Sequence, residues 1–185
     1  MSKEDKSDAI DSLPRPGSGL YNMNNPDEKA RKKTLRRYKL ANKYFTIPFY
    51  RLRILPLLGM GRIFLLLTTK GRKSNKKRIT PLEYQRIDGV IHVFSGRGEK
   101  ADWLKNMRKY PDDVKVLAGF RWFHPKIDII DDTSTKVEIM DWYVRKNPRA
   151  AKMVAGWDPK RDNPETMDMI PLADLITIVR LHRRE

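Results

Sequence analysis

The chain has no cysteine in its 185 residues, which removes disulfides, thiolate nucleophiles and cysteine zinc sites and fits a reducing compartment. Histidine is scarce: His92, His124 and His182 lie far apart with no pair at i, i+4, so no metal site is expected. Long apolar runs are missing too. The longest, Ile54 to Leu67, is broken by Pro56, Gly59, Gly61 and Arg62 and falls short of the roughly 18 to 20 residues that span a bilayer. The amino end shows no sequence of positive start, apolar core and small-residue cleavage site, so the expectation is a cytoplasmic protein, in one variant peripheral on the inner face of a membrane. Acid is in short supply: 23 Asp and Glu face 39 Lys and Arg, a net charge of +16. An excess of this size points to a polyanionic partner, whether nucleic acid, acidic lipid or a highly charged cofactor.

What is present centres on residues 63 to 84. An apolar run, Ile63 to Leu67, enters a nine-residue segment, Lys70 to Arg78, that holds six cations and no carboxylate, and a second strand-like run, Ile79 to Tyr84, leaves it. Gly71, Ser74 and Asn75 are turn formers, so the stretch reads as a hairpin with a cationic tip. A turn rich in N–H groups with guanidinium and ammonium heads suits an anion, Arg72 and Arg78 by fork geometry and the lysines as point charges. A solvated basic loop is the competing reading.

Residues 1–24 have few large apolar side chains and are expected as a flexible tail. Residues 25–53 form a basic amphipathic helix region: Asn25 is placed to cap, Pro26 to open and Glu28 to close a capping box, and the helix should reach about Phe45 and break near Pro48. Ten cations and no acid lie between Lys29 and Arg53, interleaved with Tyr38, Tyr44, Phe45 and Phe49, a pattern that fits an acidic membrane surface, a nucleic-acid face, or a helix docked on its own domain. Residues 54–185 form the main domain. Asp88-Gly89 predicts a tight turn before a strand at Val90 to Ser95. Ser95-Gly96-Arg97-Gly98 opens a short helix that ends before Pro111, a junction whose N–H groups suit phosphate. Further strands are predicted over Asp113 to Gly119, Phe120 to Asp131 and Leu175 to Leu181, with helices over about Ser134 to Lys146 and from Pro148. Six short strands with small helices between them predict an α+β fold built on a closed, mostly antiparallel barrel.

Leu66-Leu67-Thr68-Thr69-Lys70-Gly71-Arg72-Lys73-Ser74, then Arg78, Pro81-Leu82, Ser95-Gly96-Arg97-Gly98 and Trp103-Leu104-Lys105-Asn106 resemble, in this order, the motifs of the deazaflavin (coenzyme F420)-dependent nitroreductase family. The likeness covers about residues 50 to 131. It implies a split β-barrel of the FMN-binding kind with peripheral helices, coenzyme F420 as cofactor, and an oxidoreductase that transfers hydride to an electrophilic acceptor of quinone, nitro or enone type. By the same resemblance Arg72, Lys73 and Ser74 hold the cofactor's phosphate and tail, Arg78, Thr80 and Pro81 lie along it, and Ser95, Gly96 and Arg97 with Trp103, Lys105 and Asn106 form the other wall. Ser95 is the candidate for hydrogen-bonding ring or acceptor, with a structural turn hydroxyl as the equal alternative.

Two departures stand out. Asn75 sits where the family commonly has glycine, and asparagine is the next residue to tolerate a left-handed turn. The tyrosine-rich segment of quinone- and nitroimidazole-reducing members is replaced by Arg149 to Trp157, which leaves Met153 and Trp157 as pocket walls or core residues. FMN or another anionic cofactor is the alternative within the fold, and a nucleic-acid-binding module the alternative of another class. The expected partners are a small-molecule acceptor, an acidic membrane surface through the N-terminal helix, and a second copy in a homodimer; nucleic acid is not expected.

Overall fold

The computed structural model describes residues 12–183. In chain order it contains α1 (Gly19–Met23), α2 (Glu28–Ala41), a π-helical turn (Asn42–Thr46), α3 (Ile47–Arg51), α4 (Ile54–Leu57), β1 (Phe64–Lys70), β2 (Lys77–Ile87), β3 (Val90–Ser95), α5 (Asp102–Lys109), β4 (Lys115–Ala118), β5 (Arg121–Phe123), β6 (Pro125–Ile130), α6 (Thr133–Lys146), α7 (Pro148–Ala155), α8 (Ile170–Leu175) and β7 (Thr177–Arg183). These fall into two compact units, residues up to Leu35 with Asp131–Ile176, and Arg36–Ile130 with the closing strand.

The second unit holds one antiparallel sheet in the order β5-β4-β1-β2-β3-β7-β6. Its two outer strands, β5 and β6, are consecutive in the chain and joined by His124 alone, so the sheet must curl until its edges meet at that corner. The result is a half-barrel rather than a closed one, since no ladder joins β5 to β6 among the described residues. Seven strands replace the expected six because the run Phe120 to Asp131 splits at this corner. Pro125, which has no N–H to give a ladder, fits the first position of the new strand.

β1 is buried on both faces, which is why its sequence shows a continuous apolar run and no alternation. Leu65 and Leu67 join the barrel core with Tyr84, Val93, Leu104, Met107 and Val179. Leu66 faces the other way into a smaller cluster with Tyr50, Leu55 and Leu117. Each such leucine contributes roughly 1.5 to 3 kcal/mol by leaving water. The predicted turn at Asp88-Gly89 forms with positive φ at both positions, 49° and 81°.

The N-terminal helix differs from expectation at both ends. Asp27, not Asn25, caps it by accepting from the Lys29 N–H at 2.9 Å, while Asn25, two residues before, accepts from the Asp27 N–H at 2.9 Å. Nor does it break at Pro48. The backbone widens into the π turn, where the Ile47 N–H reaches Asn42 O, and Pro48 sits in the first turn of α3; the wider turn accommodates the missing donor and the ring.

In the first unit, the part of the expected flexible tail over residues 1–11 lies outside the described residues. Residues 12–24 are not free chain: Ser18 caps α1, and the Arg15 guanidinium grips Asp162 at 2.5 and 2.7 Å and donates to Gly156 O at 2.8 Å. Burial would raise the Asp162 carboxyl, but the Arg15 fork and the Asp158 N–H outweigh it and hold the group below the usual carboxylate range. A lone arginine gives no hint in sequence that its partner lies 147 residues on. α6 begins where Asp132 accepts from the Thr135 N–H at 2.8 Å.

Tyr50 anchors the helical layer to the sheet: fully buried, it donates to Phe64 O at 2.7 Å and accepts from the Gly119 N–H at 2.9 Å. Burial pushes its phenol from the ordinary 10 to about 12. Tyr50→Phe leaves a carbonyl and an N–H without partners, and urea unfolding should show a loss of about 1 to 3 kcal/mol. Because the folded value lies above the unfolded one, the wild type should hold its stability below pH 10 and lose it as pH rises towards about 12; the Phe variant should lack that component of the decline.

Candidate functional site

Strand β2 belongs to two ladders. From Lys77 to Glu83 it pairs with β1, and from Tyr84 to Ile87 it pairs with β3. β3 has its own partner, β7, up to Ser95. The two strands therefore diverge beyond the Tyr84↔Val93 pair, and along Lys77–Glu83 the second edge of β2 pairs with no strand among the described residues. Thr80 and Pro81 lie on that edge segment, half-buried. Pro81 is tolerated in mid-strand because one side of β2 is unpaired there. Past the divergence, β3 runs on into Ser95, Gly96 and Arg97, the second bank the sequence predicts.

At the outer end of this segment the hairpin tip carries the cations. The loop closes through Gly71 N–H to Lys76 O at 2.9 Å and Asn75 N–H to Gly71 O at 2.8 Å. Gly71 suits this close approach: a Cβ there would sit 2.9 Å from Ser74 Oγ and 3.1 Å from Lys76 O, so a larger residue would have to displace them. Asn75 adopts φ 53°, as a left-handed turn position requires, and accepts from the Tyr110 hydroxyl at 3.3 Å.

Helix α5 runs beneath the tip and is pinned to it. Buried Asn106 accepts from Arg72 N–H at 3.1 Å and Arg72 Nη1 at 3.2 Å, and donates to Thr69 Oγ1 at 3.5 Å. Arg72 also pairs with Asp102 at 2.9 Å, Lys109 donates to Arg72 O at 3.3 Å, and Lys70 lies 3.4 Å from Asp113 and over the Tyr110 ring.

One expectation is narrowed here. The tip is not rich in free N–H groups, since those of Gly71, Arg72, Ser74, Asn75 and Lys76 have acceptors inside the protein. What it offers is side-chain charge: Lys73, Lys76 and Lys77 are exposed and have no carboxylate partner among the described residues, while Arg78 Nη2 donates to Ser74 Oγ at 3.2 Å. The first turn of α5 carries an acid, Asp102, whose carboxylate pairs with Arg72, and no side chain caps the helix start.

The remaining predicted residues divide by burial. Ser95 is 1% exposed and donates to Gly98 O at 2.8 Å, so its hydroxyl proton closes a turn. Trp103 is part of the barrel core, whereas Lys105 is exposed and Gly96 and Arg97 are half-buried. In the other unit Trp157 is buried and Met153 is 74% exposed. Sequence reasoning missed Asp102, Lys109, Tyr110 and Asp113. All four act across the hairpin–helix junction, and no local spacing announces such partners.

A family described as F420H(2)-dependent quinone reductase matches residues 56–154, more than half of the chain. No curated protein matches. Among solved structures, an F420-H2 dependent reductase (FDR-A) is 22% identical over 65% of this chain and 95% of its own, with a TM-score of 0.42. A conserved hypothetical protein from Mycobacterium tuberculosis is 15% identical over 71% of this chain and 79% of its own, at 0.48. A putative pyridoxamine 5'-phosphate oxidase from Listeria innocua is 13% identical over 70% and 91%, at 0.44.

Asn106 ties the tip to the helix through three hydrogen bonds of its side-chain amide. Asn106→Ala should cost about 1 to 3 kcal/mol in urea unfolding, the range for a buried group stripped of its partner, and should raise hydrogen exchange at the Arg72 amide. Unchanged exchange there would mean that the tip is held by other groups.

Proposed function

Since the chain belongs to the F420H(2)-dependent quinone reductase family, a family of oxidoreductases with coenzyme F420 as cofactor, we propose that the cationic tip and the unpaired edge of β2 together form its cofactor site and that the acceptor is a quinone, nitro or enone compound. The observation that carries this reading is that an open strand edge leads directly from a tip whose Lys73, Lys76 and Lys77 lack counter-charges. A cofactor bearing a phosphate and a carboxylate tail meets that need, so the residues present fit the group.

In this reading the lysines at the tip and Arg78 take the phosphate and carboxylates. Arg72 contributes a guanidinium already fixed by Asp102 and Asn106, so little ordering entropy is lost on binding. The exposed backbone groups of Arg78 to Pro81 orient the ring system, and the half-buried Gly96–Arg97 turn forms the opposite bank. The bound reduced cofactor supplies the hydride. The protein contributes placement and exclusion of water, and Ser95, whose proton is committed to Gly98 O, supports the turn. Lys73→Ala should weaken binding of reduced F420 by about 1.5 to 3 kcal/mol, roughly ten- to a hundredfold, followed by fluorescence at modest salt, and Arg72→Ala by at least as much. Lys33→Ala, on α2, should leave affinity unchanged. Equal affinities in all three would end the assignment.

A specific observation favours a second, compatible reading, that the segment around α3 and α4 rests on acidic membrane and so meets a lipid-soluble acceptor. Tyr44, Leu52, Leu57 and Leu58 are 66%, 68%, 75% and 73% exposed, among Lys43, Arg51, Arg53 and Arg62 with no acid between. Apolar side chains standing in water beside cations match a headgroup boundary. No helix among the described residues is long and apolar enough to cross a membrane. Full-length protein should sediment with phosphatidylserine vesicles and much less with phosphatidylcholine, and Leu57→Asp with Leu58→Asp should abolish the difference. Unaltered sedimentation of that double variant would refute the surface.

A further inference from the structure

The strand register places three exposed arginines on the same faces as core residues, at the ends of their strands. Inward-facing positions alternate along each strand. On β2 the row Leu82, Tyr84 continues to Arg86; on β7 Val179, Leu181 continues to Arg183; on β5 Phe123 shares its face with Arg121. All three rows end at the same mouth of the barrel, around a cavity of about 450 Å3 whose walls include Ile91, Phe123, Leu181 and His182. No carboxylate among the described residues lines it, and Asp88 in the neighbouring turn is exposed and outside it.

Inward charges can guard a sheet edge against pairing. That accounts for Arg121, on edge strand β5, but less well for Arg86 and Arg183, whose strands β2 and β7 lie inside the sheet and whose positions have a ladder partner on one side, Ile91 and Pro125. Arg86 donates to Gly89 O at 3.2 Å and Arg183 lies 5.5 Å over the Phe123 ring. These contacts orient the guanidinium groups and neutralise none of them. Three like charges around one opening, each of them exposed, repel one another only weakly through water, but together they make the mouth favourable for an anion. The site is separate from the cationic hairpin: β2 carries Lys77 at one end and Arg86 near the other, about 30 Å apart at roughly 3.3 Å per residue.

We propose that this mouth is a second anion site, which takes a phosphate- or carboxylate-bearing molecule with its charge between Arg86, Arg121 and Arg183 and its apolar body against Phe123, Ile91 and Leu181. Titrating the full chain with inorganic pyrophosphate, and separately with citrate, at low ionic strength and following backbone amide shifts tests it and tells the two charge types apart. Saturable shifts at Gly89, Val90, Phe123 and Leu181 are expected with at least one of the two probes. Arg121→Gln, an exposed change that leaves the core intact, and Arg183→Gln should each weaken this binding at least about tenfold, whereas Lys73→Ala with Lys77→Ala should not. Shifts confined to Lys70–Arg78, no saturation with either probe, or unaltered affinity in Arg121→Gln would overturn the proposal.

Discussion

Strand β2 pairs with β1 over its first seven residues and with β3 over its last four, and the organisation of the barrel depends on this change of partner. A strand paired on both sides throughout would present no free backbone groups, and the cations at its start would sit on an ordinary surface loop. Because the pairing shifts, the cationic tip stands at the head of an open edge. The tip in turn is tied to the helix below by Asn106 and Asp102, which hold Arg72, and by Lys109 and Tyr110. Electrostatics and topology thus meet in one short segment, with α5 as the common support.

The other charged mouth obeys a different logic. At the hairpin, charge is delivered by a turn that projects away from the sheet. At the far end it is delivered by the pleat itself, as an arginine after two core residues on the same face of β2 and of β7, and beside Phe123 on β5. The barrel thus carries two separate groups of cations, six on the hairpin tip and three at the far mouth, in addition to the ten between Lys29 and Arg53.

Much of this was legible in the amino-acid order, and the rest was not for identifiable reasons. The hairpin, the Asp88-Gly89 turn, strand Val90–Ser95 and the helix before Pro111 could be read because local chemistry decides them: positive-φ residues, a tip without acids, a proline stop. The corner at His124 escaped because a single residue between two strands leaves no loop signature. The helix passed Pro48 because a π turn absorbs the defect, and such a turn follows from packing rather than propensity. At the site, the cationic residues were evident from their run, while the side chains that fix them were not, since Asn106 lies 34 residues from Arg72 and Tyr110 lies 35 from Asn75. Ser95 and Trp103 drew notice by family pattern, and the fold buries both, one in a turn and one in the core.

The single residue between β5 and β6 has a mechanical consequence. With only His124 separating Phe123 from Pro125, the two rims of the curled sheet cannot move more than about 7 Å apart at that corner, the reach of two extended residues. That corner works as a clasp. Any swelling of the barrel to admit a larger guest has to be absorbed on the side where β2 and β3 already part company, so the fold has one fixed seam and one compliant one.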